Sequence, residues 1–103
     1  MLMRRWHRPL PLQIKWADEA PDTPGVYVLL RSSMDISSVL KIGPARSVRR
    51  MFQRECRTDY SGTPDRPGAM MWMESWSDAE EAARLVSEYR RRHGRVPPLN
   101  SPY

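Results

Sequence analysis

Two short runs of strand-forming residues, held apart by a polar stretch, do most to constrain what this chain can become. Gly25 to Arg31 carries Val26, Tyr27, Val28, Leu29 and Leu30, and Val39 to Gly43 is a second, shorter run. β-Branched and aromatic side chains suit a pleated, half-buried surface. Ser32, Ser33, Asp35, Ser37 and Ser38 lie between the runs, so the reading is a β-hairpin with a polar loop from Arg31 to Val39. Gly25 to Leu30 is also the longest strongly apolar stretch, and it is far too short to span a bilayer.

The flanking text is punctuated differently. Pro9, Pro11, Pro21 and Pro24 break up the first 24 residues. Residues 1–20 therefore read as an irregular arm, with at most a short extended piece around Leu12 to Trp16, and residues 21–103 as the folded domain. Ser47 is placed to cap a helix whose apolar positions Val48, Met51, Phe52 and Cys56 fall at helical spacing. That helix ends before a loop from Asp59 to Gly68 containing Gly62, Pro64 and Pro67, and Ala69 to Glu74 reads as a third strand.

A last helix follows. Ser77 and Glu80 have capping-box spacing, Asp78 and Glu81 put negative charge in the first turns, and Arg90, Arg91, Arg92 and His93 put positive charge in the last. Gly94 terminates it and Pro97-Pro98 prevents its resumption. Its apolar stripe is Ala79, Ala82, Ala83, Val86 and Tyr89, broadened by Leu85. The order strand, strand, helix, strand, helix, with no internal repeat, predicts an α+β fold: a small three-stranded, mixed or antiparallel sheet flanked by helices.

At 103 residues the chain is expected to form one domain, near the lower end of the size range that folds unaided. Its formal net charge is +5, and of 17 basic residues only Lys15 and Lys41 are lysine. Arginine forks onto phosphate oxygens through two donors, so the balance suits a polyanionic partner, although a solvated basic surface accounts for charge alone. Cys56 is the only cysteine, which excludes an intrachain disulfide and a Cys-based zinc site and points to a reducing cytoplasm. Arg4, Arg5, His7 and Arg8 are followed by no hydrophobic segment, so neither export nor a membrane anchor is expected. His7 and His93 lack metal-ligand spacing.

Taken in order, Pro24-Gly25-Val26-Tyr27 opening one strand, Lys41-Ile42-Gly43 closing the next, and Glu88 followed twelve residues later by Asn100 in a Pro97-Pro98-Leu99-Asn100 tail resemble the GIY-YIG nuclease superfamily. The resemblance runs from about Pro21 to Asn100. It implies that Tyr27 sits near the scissile phosphate, hydrogen-bonding a phosphate oxygen or the attacking water. Gly43 would let DNA or a helix approach closely. Glu88 would be the sole protein ligand of a divalent cation, Mg²⁺ or Mn²⁺, with Asn100 bracing the end of the site. Lys41 stands where the second signature tyrosine is usual. Some branches of the superfamily read Lys-Ile-Gly here, but the change leaves the general base open, and a lysine cation would instead hold a phosphate.

The resemblance also implies an arginine on the first helix that neutralises charge developing on the phosphate. Counting without gaps from Gly43 lands on Met51, and a loop shorter by one residue brings Arg50 into place, which is the assignment adopted. Arg46, Arg50 and Arg54 recur at i, i+4 and i+8, a basic stripe that with Arg49 would contact nucleic acid. From the residues alone, that stripe also reads as a solvated helix face, and Glu88 as a surface partner of Arg84 or Arg92. Trp6, Trp16, Trp72 and Trp76 would either stack on bases or fill the core.

The expected function is a small GIY-YIG-type endonuclease that hydrolyses double-stranded or branched DNA, as a homodimer or with a recruiting partner protein. It would act in the cytoplasm, associated with the nucleoid if bacterial or phage. The rivals are a catalytically inactive nucleic-acid-binding module and an accessory subunit that docks through the arm before Pro24 and the tail Ser101 to Tyr103.

Overall fold

The computed structural model describes residues 6–100, so the start of the expected arm and the expected docking tail Ser101 to Tyr103 lie outside the described residues. Along the chain come β1 (Leu10–Pro11), a 3-10 helix (Ile14–Glu19), β2 (Gly25–Ser32), β3 (Asp35–Ala45), α1 (Val48–Arg57), β4 (Ala69–Glu74) and α2 (Asp78–His93). Every residue of β2 from Gly25 to Leu30 is buried, which requires cover on both faces and partners on both edges. Both conditions are met. β2 pairs antiparallel with β3 on one side and β4 on the other, and β1 adds antiparallel to β4, giving the order β1-β4-β2-β3.

Alternation along the strands sorts side chains onto two faces. Tyr27 and Leu29 join Leu40, Ala45, Met70 and Trp72 on the face covered by α1, through Val48 and Phe52, and by the 3-10 helix, through Ala17 and Ala20. Val26, Val28 and Leu30 join Ile42 and Ala69 on the opposite face, beneath Ala82, Leu85, Val86 and Tyr89 of α2. A register shift between Leu29 and Leu30 inserts Leu40 as an extra residue between Val39 and Lys41 of β3. This bulge lets Leu40 enter the α1-side core although Ile42, two residues on, points to the other. Phe52 is fully buried and meets Trp72 edge-on, with ring centroids 6.2 Å apart, a geometry contributing about 0.5–1.5 kcal/mol beyond area burial.

The architecture is α+β as expected, with four strands rather than three. The extra strand lies in the arm expected to be irregular: Leu10 pairs with Met70 and Pro11 with Ala69. Proline is tolerated there because β1 is an edge strand. The extended piece expected at Leu12 to Trp16 is replaced by the 3-10 helix. The polar hairpin loop is shorter than expected, because β3 begins at Asp35 and carries Ser37 and Ser38 as strand residues.

Helix ends follow the sequence in part. Ser47 caps α1, its Oγ accepting from the Arg50 N–H at 3.2 Å and donating to Asp22 at 2.6 Å. Gly94 closes α2 with φ of 81°, where a side chain would be strained. The capping box at Ser77 is absent. The Ser77 side chain makes no cap bond, and its N–H, the donor Glu80 would have taken, goes to Ser75 Oγ at 3.2 Å. The apolar stripe of α2 is also narrower than expected, since Ala79 and Ala83 are exposed. No helix among the described residues is long and apolar enough to cross a membrane.

Candidate active site and nucleic-acid interface

Register places the first candidates together. Tyr27 lies opposite Gly43 and Leu29 opposite Lys41, so Tyr27 and Lys41 share the α1 face of the sheet. The Tyr27 ring lies over Gly43: a Cβ at that position would sit 2.9–3.0 Å from the ring and its hydroxyl. The close approach expected of DNA or a helix at Gly43 is therefore made by the tyrosine itself. Lys41 Nζ is 6.0 Å from the centroid of that ring. Tyr27 is only 3% exposed, and burial pushes its hydroxyl pKa up, with the Lys41 ammonium as the largest opposing influence. At neutral pH the phenol keeps its proton and can donate a hydrogen bond.

Beside it lies a group that the sequence reading passed over. Glu55 of α1 is 7% exposed, the one buried charged side chain among the described residues. It accepts a 2.5 Å hydrogen bond from the Tyr60 hydroxyl. Burial and this carboxylate push the Tyr60 pKa well up, and the Glu55 charge also raises Tyr27, whereas Arg54 lowers both. A signal for it existed: Glu55 follows Phe52 by three residues and Val48 by seven, on the apolar face of the helix.

Both phenols ionise less readily folded than unfolded, where the ordinary value is about 10. Their contribution to stability is complete below that value and is lost as pH rises through the folded-state pKa. The melting temperature is thus expected to fall as pH rises above about 10, and less steeply in Tyr60→Phe. Identical alkaline profiles for the two proteins would contradict this.

The arginine stripe does share a groove. Arg46, Arg50 and Arg54 line a groove of about 460 Å³ with Asp22, Ser47 and Met51. Arg46 precedes the helix yet still faces it. Arg49 instead turns its Nε to the Ala20 carbonyl at 2.9 Å, tying α1 to the end of the 3-10 helix. Of the stripe, Arg54 is the arginine whose charge acts on Tyr27.

Glu88 lies on the other side of the sheet. It borders a groove of about 190 Å³ with Val28, Ile42 and Tyr89, its side chain is 47% exposed, and Arg84 Nη1 donates to it at 2.6 Å. Arg84 also pairs with Glu81. Glu88 is not among the charges acting on Tyr27. Between the two halves runs β3, and Asn100 fixes its outer edge: the side-chain amide accepts from the Ile42 N–H at 2.9 Å and donates to the Ile42 carbonyl at 2.8 Å. Leu99 extends the pairing through its N–H to the Leu40 carbonyl. Among the described residues no three His, Cys, Asp or Glu side chains gather to hold a metal. The single half-exposed carboxylate does fit a hard cation that keeps most of its waters.

No family model matches this chain, and no curated protein does. Solved structures do. The N-terminal GIY-YIG endonuclease domain of UvrC from Thermotoga maritima, bound to its catalytic divalent cation, magnesium, superposes with a TM-score of 0.56 at 17% identity, covering 84% of this chain and 93% of that one. A tyrosine-to-phenylalanine point mutant of the same domain, also with its catalytic divalent cation, matches with the same score, identity and coverage. Agreement over nearly the whole of that domain shows that this chain has the GIY-YIG fold.

Proposed function

We propose that the chain is a small endonuclease that hydrolyses DNA phosphodiester bonds with one divalent cation, Mg²⁺ or Mn²⁺. The observation that carries this reading is that Tyr27 and Lys41 share the sheet face covered by α1, the helix whose Arg50 and Arg54 line a groove with Arg46. Three guanidinium groups along one groove suit a phosphate backbone. The first turn of α1 holds no acidic residue, so its N-terminal dipole adds to the positive potential.

The roles follow from the chemistry of each group. Lys41 holds a phosphate oxygen as a cation. Tyr27, protonated, donates a hydrogen bond to the phosphate or orients the attacking water. Arg50, with Arg54 one turn on, offsets charge as it develops on phosphorus-bound oxygens. Asn100 keeps β3 in place through both backbone groups of Ile42. Glu88 would hold the cation, which when bound supplies Lewis-acid polarisation of the phosphate and steadies the leaving oxygen. Specificity then rests on DNA structure, on the hairpin tip or the 59–68 loop, or on a recruiting protein, and a homodimer would serve two strands.

A second reading, a binding module without turnover, is favoured by the pairing of Glu88 with Arg84 away from Tyr27. Nicking of supercoiled plasmid and of branched DNA by the purified chain, with and without Mg²⁺ or Mn²⁺, separates the two. Metal-dependent nicking is expected, and binding with no cleavage in either metal supports the module instead. In either case, replacing Arg46, Arg50 or Arg54 singly by alanine is expected to reduce the slope of log affinity against log salt by about one. Unchanged slopes in all three would remove DNA from the groove.

A further inference from the structure

One pocket is not used by this mechanism. It has a volume of about 570 Å³, lies at the C-terminal end of β4, and is lined chiefly by Trp6, His7, Trp72, Glu74 and Trp76, with Pro24 in its wall. The His7 ring stacks on Trp72 with centroids 4.2 Å apart and planes 15° from parallel. Trp76 is 84% exposed, in contrast to Trp72, which is core. A tryptophan left in water offers a free π-face to a ligand. Glu74 is oriented by Thr23, whose hydroxyl donates to Glu74 Oε1 at 2.9 Å.

The chemistry and the placement narrow the occupant. Stacking faces beside an acceptor-only carboxylate suit a flat ring carrying an amino group, and the carboxylate repels a phosphate. Asp22 lines the arginine groove and Pro24 lines this pocket, and two residues of chain span at most about 7 Å. A strand whose phosphates lie in the groove therefore has its bases within reach of the pocket. We propose that the pocket takes one unpaired nucleobase bearing an exocyclic amino group, cytosine before the others, stacked on Trp76 and donating to Glu74. This rests on the nucleic-acid reading of the groove and adds a substrate class to it: duplexes with an unpaired or extruded base.

The test compares binding of the full chain to a paired duplex and to duplexes with a single bulged cytosine, thymine or abasic site. The cytosine bulge is expected to bind about tenfold tighter than the abasic one. That ratio should hold between about 50 and 200 mM salt while absolute affinities fall, because stacking releases no counterions. Trp76→Ala, an exposed position, should erase the ratio and keep paired-duplex binding, and Glu74→Gln should narrow the preference for cytosine over thymine. Equal affinity for the cytosine and abasic bulges, with paired duplex still bound, overturns the pocket and leaves the groove standing. Failure to bind any duplex overturns both. Quenching of Trp76 emission by tetramethylammonium but not by the cytosine bulge would also overturn the proposal, since an aromatic box with a carboxylate suits a quaternary cation.

Discussion

Glu88→Ala is expected to lower Mg²⁺-dependent plasmid nicking by about three orders of magnitude while leaving the melting temperature essentially unchanged. The two halves of that expectation have different origins. Glu88 is half exposed on α2 and its carboxylate pairs with Arg84 at the surface, so its removal costs the fold little. It is the one acidic side chain on the groove that faces Ile42, so no neighbour replaces it in holding a cation. Arg84 supplies a sharper check. It competes for the same carboxylate, and it has Glu81 as a second partner to which it can retire. Arg84→Ala is therefore expected to lower the Mg²⁺ concentration for half-maximal nicking by about two- to threefold, the modest effect of an exposed pair. Wild-type nicking in Glu88→Ala would place the cation elsewhere, and no response to Arg84→Ala would mean that the pair does not gate access to Glu88.

The parts of this fold that were legible in the sequence are those whose cause is local. Ser47 and Gly94 mark helix ends through their own backbone chemistry, and the bounds of β4 coincide with a run of apolar residues between turn formers. The hairpin pairing, and with it the meeting of Tyr27, Lys41 and Gly43, follows from two adjacent runs. β1 has no such local cause. It is two residues long, contains a proline, and exists only because β4 offers an open edge sixty residues later. Ser77 shows the same limit at the scale of one bond, since Ser75 captured the donor on which a capping box depends. For the site, the family resemblance could pair Glu88 with Asn100 but could not say that α2 packs on the face opposite Tyr27, which is decided by which strand residues its stripe of Ala82, Leu85, Val86 and Tyr89 finds.

Gly43→Ala is expected to destabilise the fold by about 1–3 kcal/mol, the usual range for overpacking, and to impair the site more than the fold. The added methyl would sit 2.9 Å from Tyr27 Cε1 and 3.0 Å from its hydroxyl. The ring cannot simply yield, because it is packed in the core that holds Phe52 and Trp72. Any shift that relieves the contact also moves the hydroxyl relative to Lys41, so the group that donates to the phosphate is displaced with it. The cause is one side chain, and it can be removed. In a Tyr27→Val background, which keeps a strand-forming residue and empties the space over Gly43, the same Gly43→Ala change is expected to cost nothing or to stabilise slightly, since alanine loses less backbone entropy than glycine on folding. A coupling of about 0.5–3 kcal/mol between the two positions is the expected result of a double-mutant cycle measured by urea unfolding. Gly25 is the control: a Cβ there would meet the Met73 carbonyl oxygen at 2.5 Å, which is backbone, so Tyr27→Val should give Gly25→Ala no relief. Equal costs for Gly43→Ala in both backgrounds would show that the glycine is needed for its backbone, and that the tyrosine is not what it accommodates.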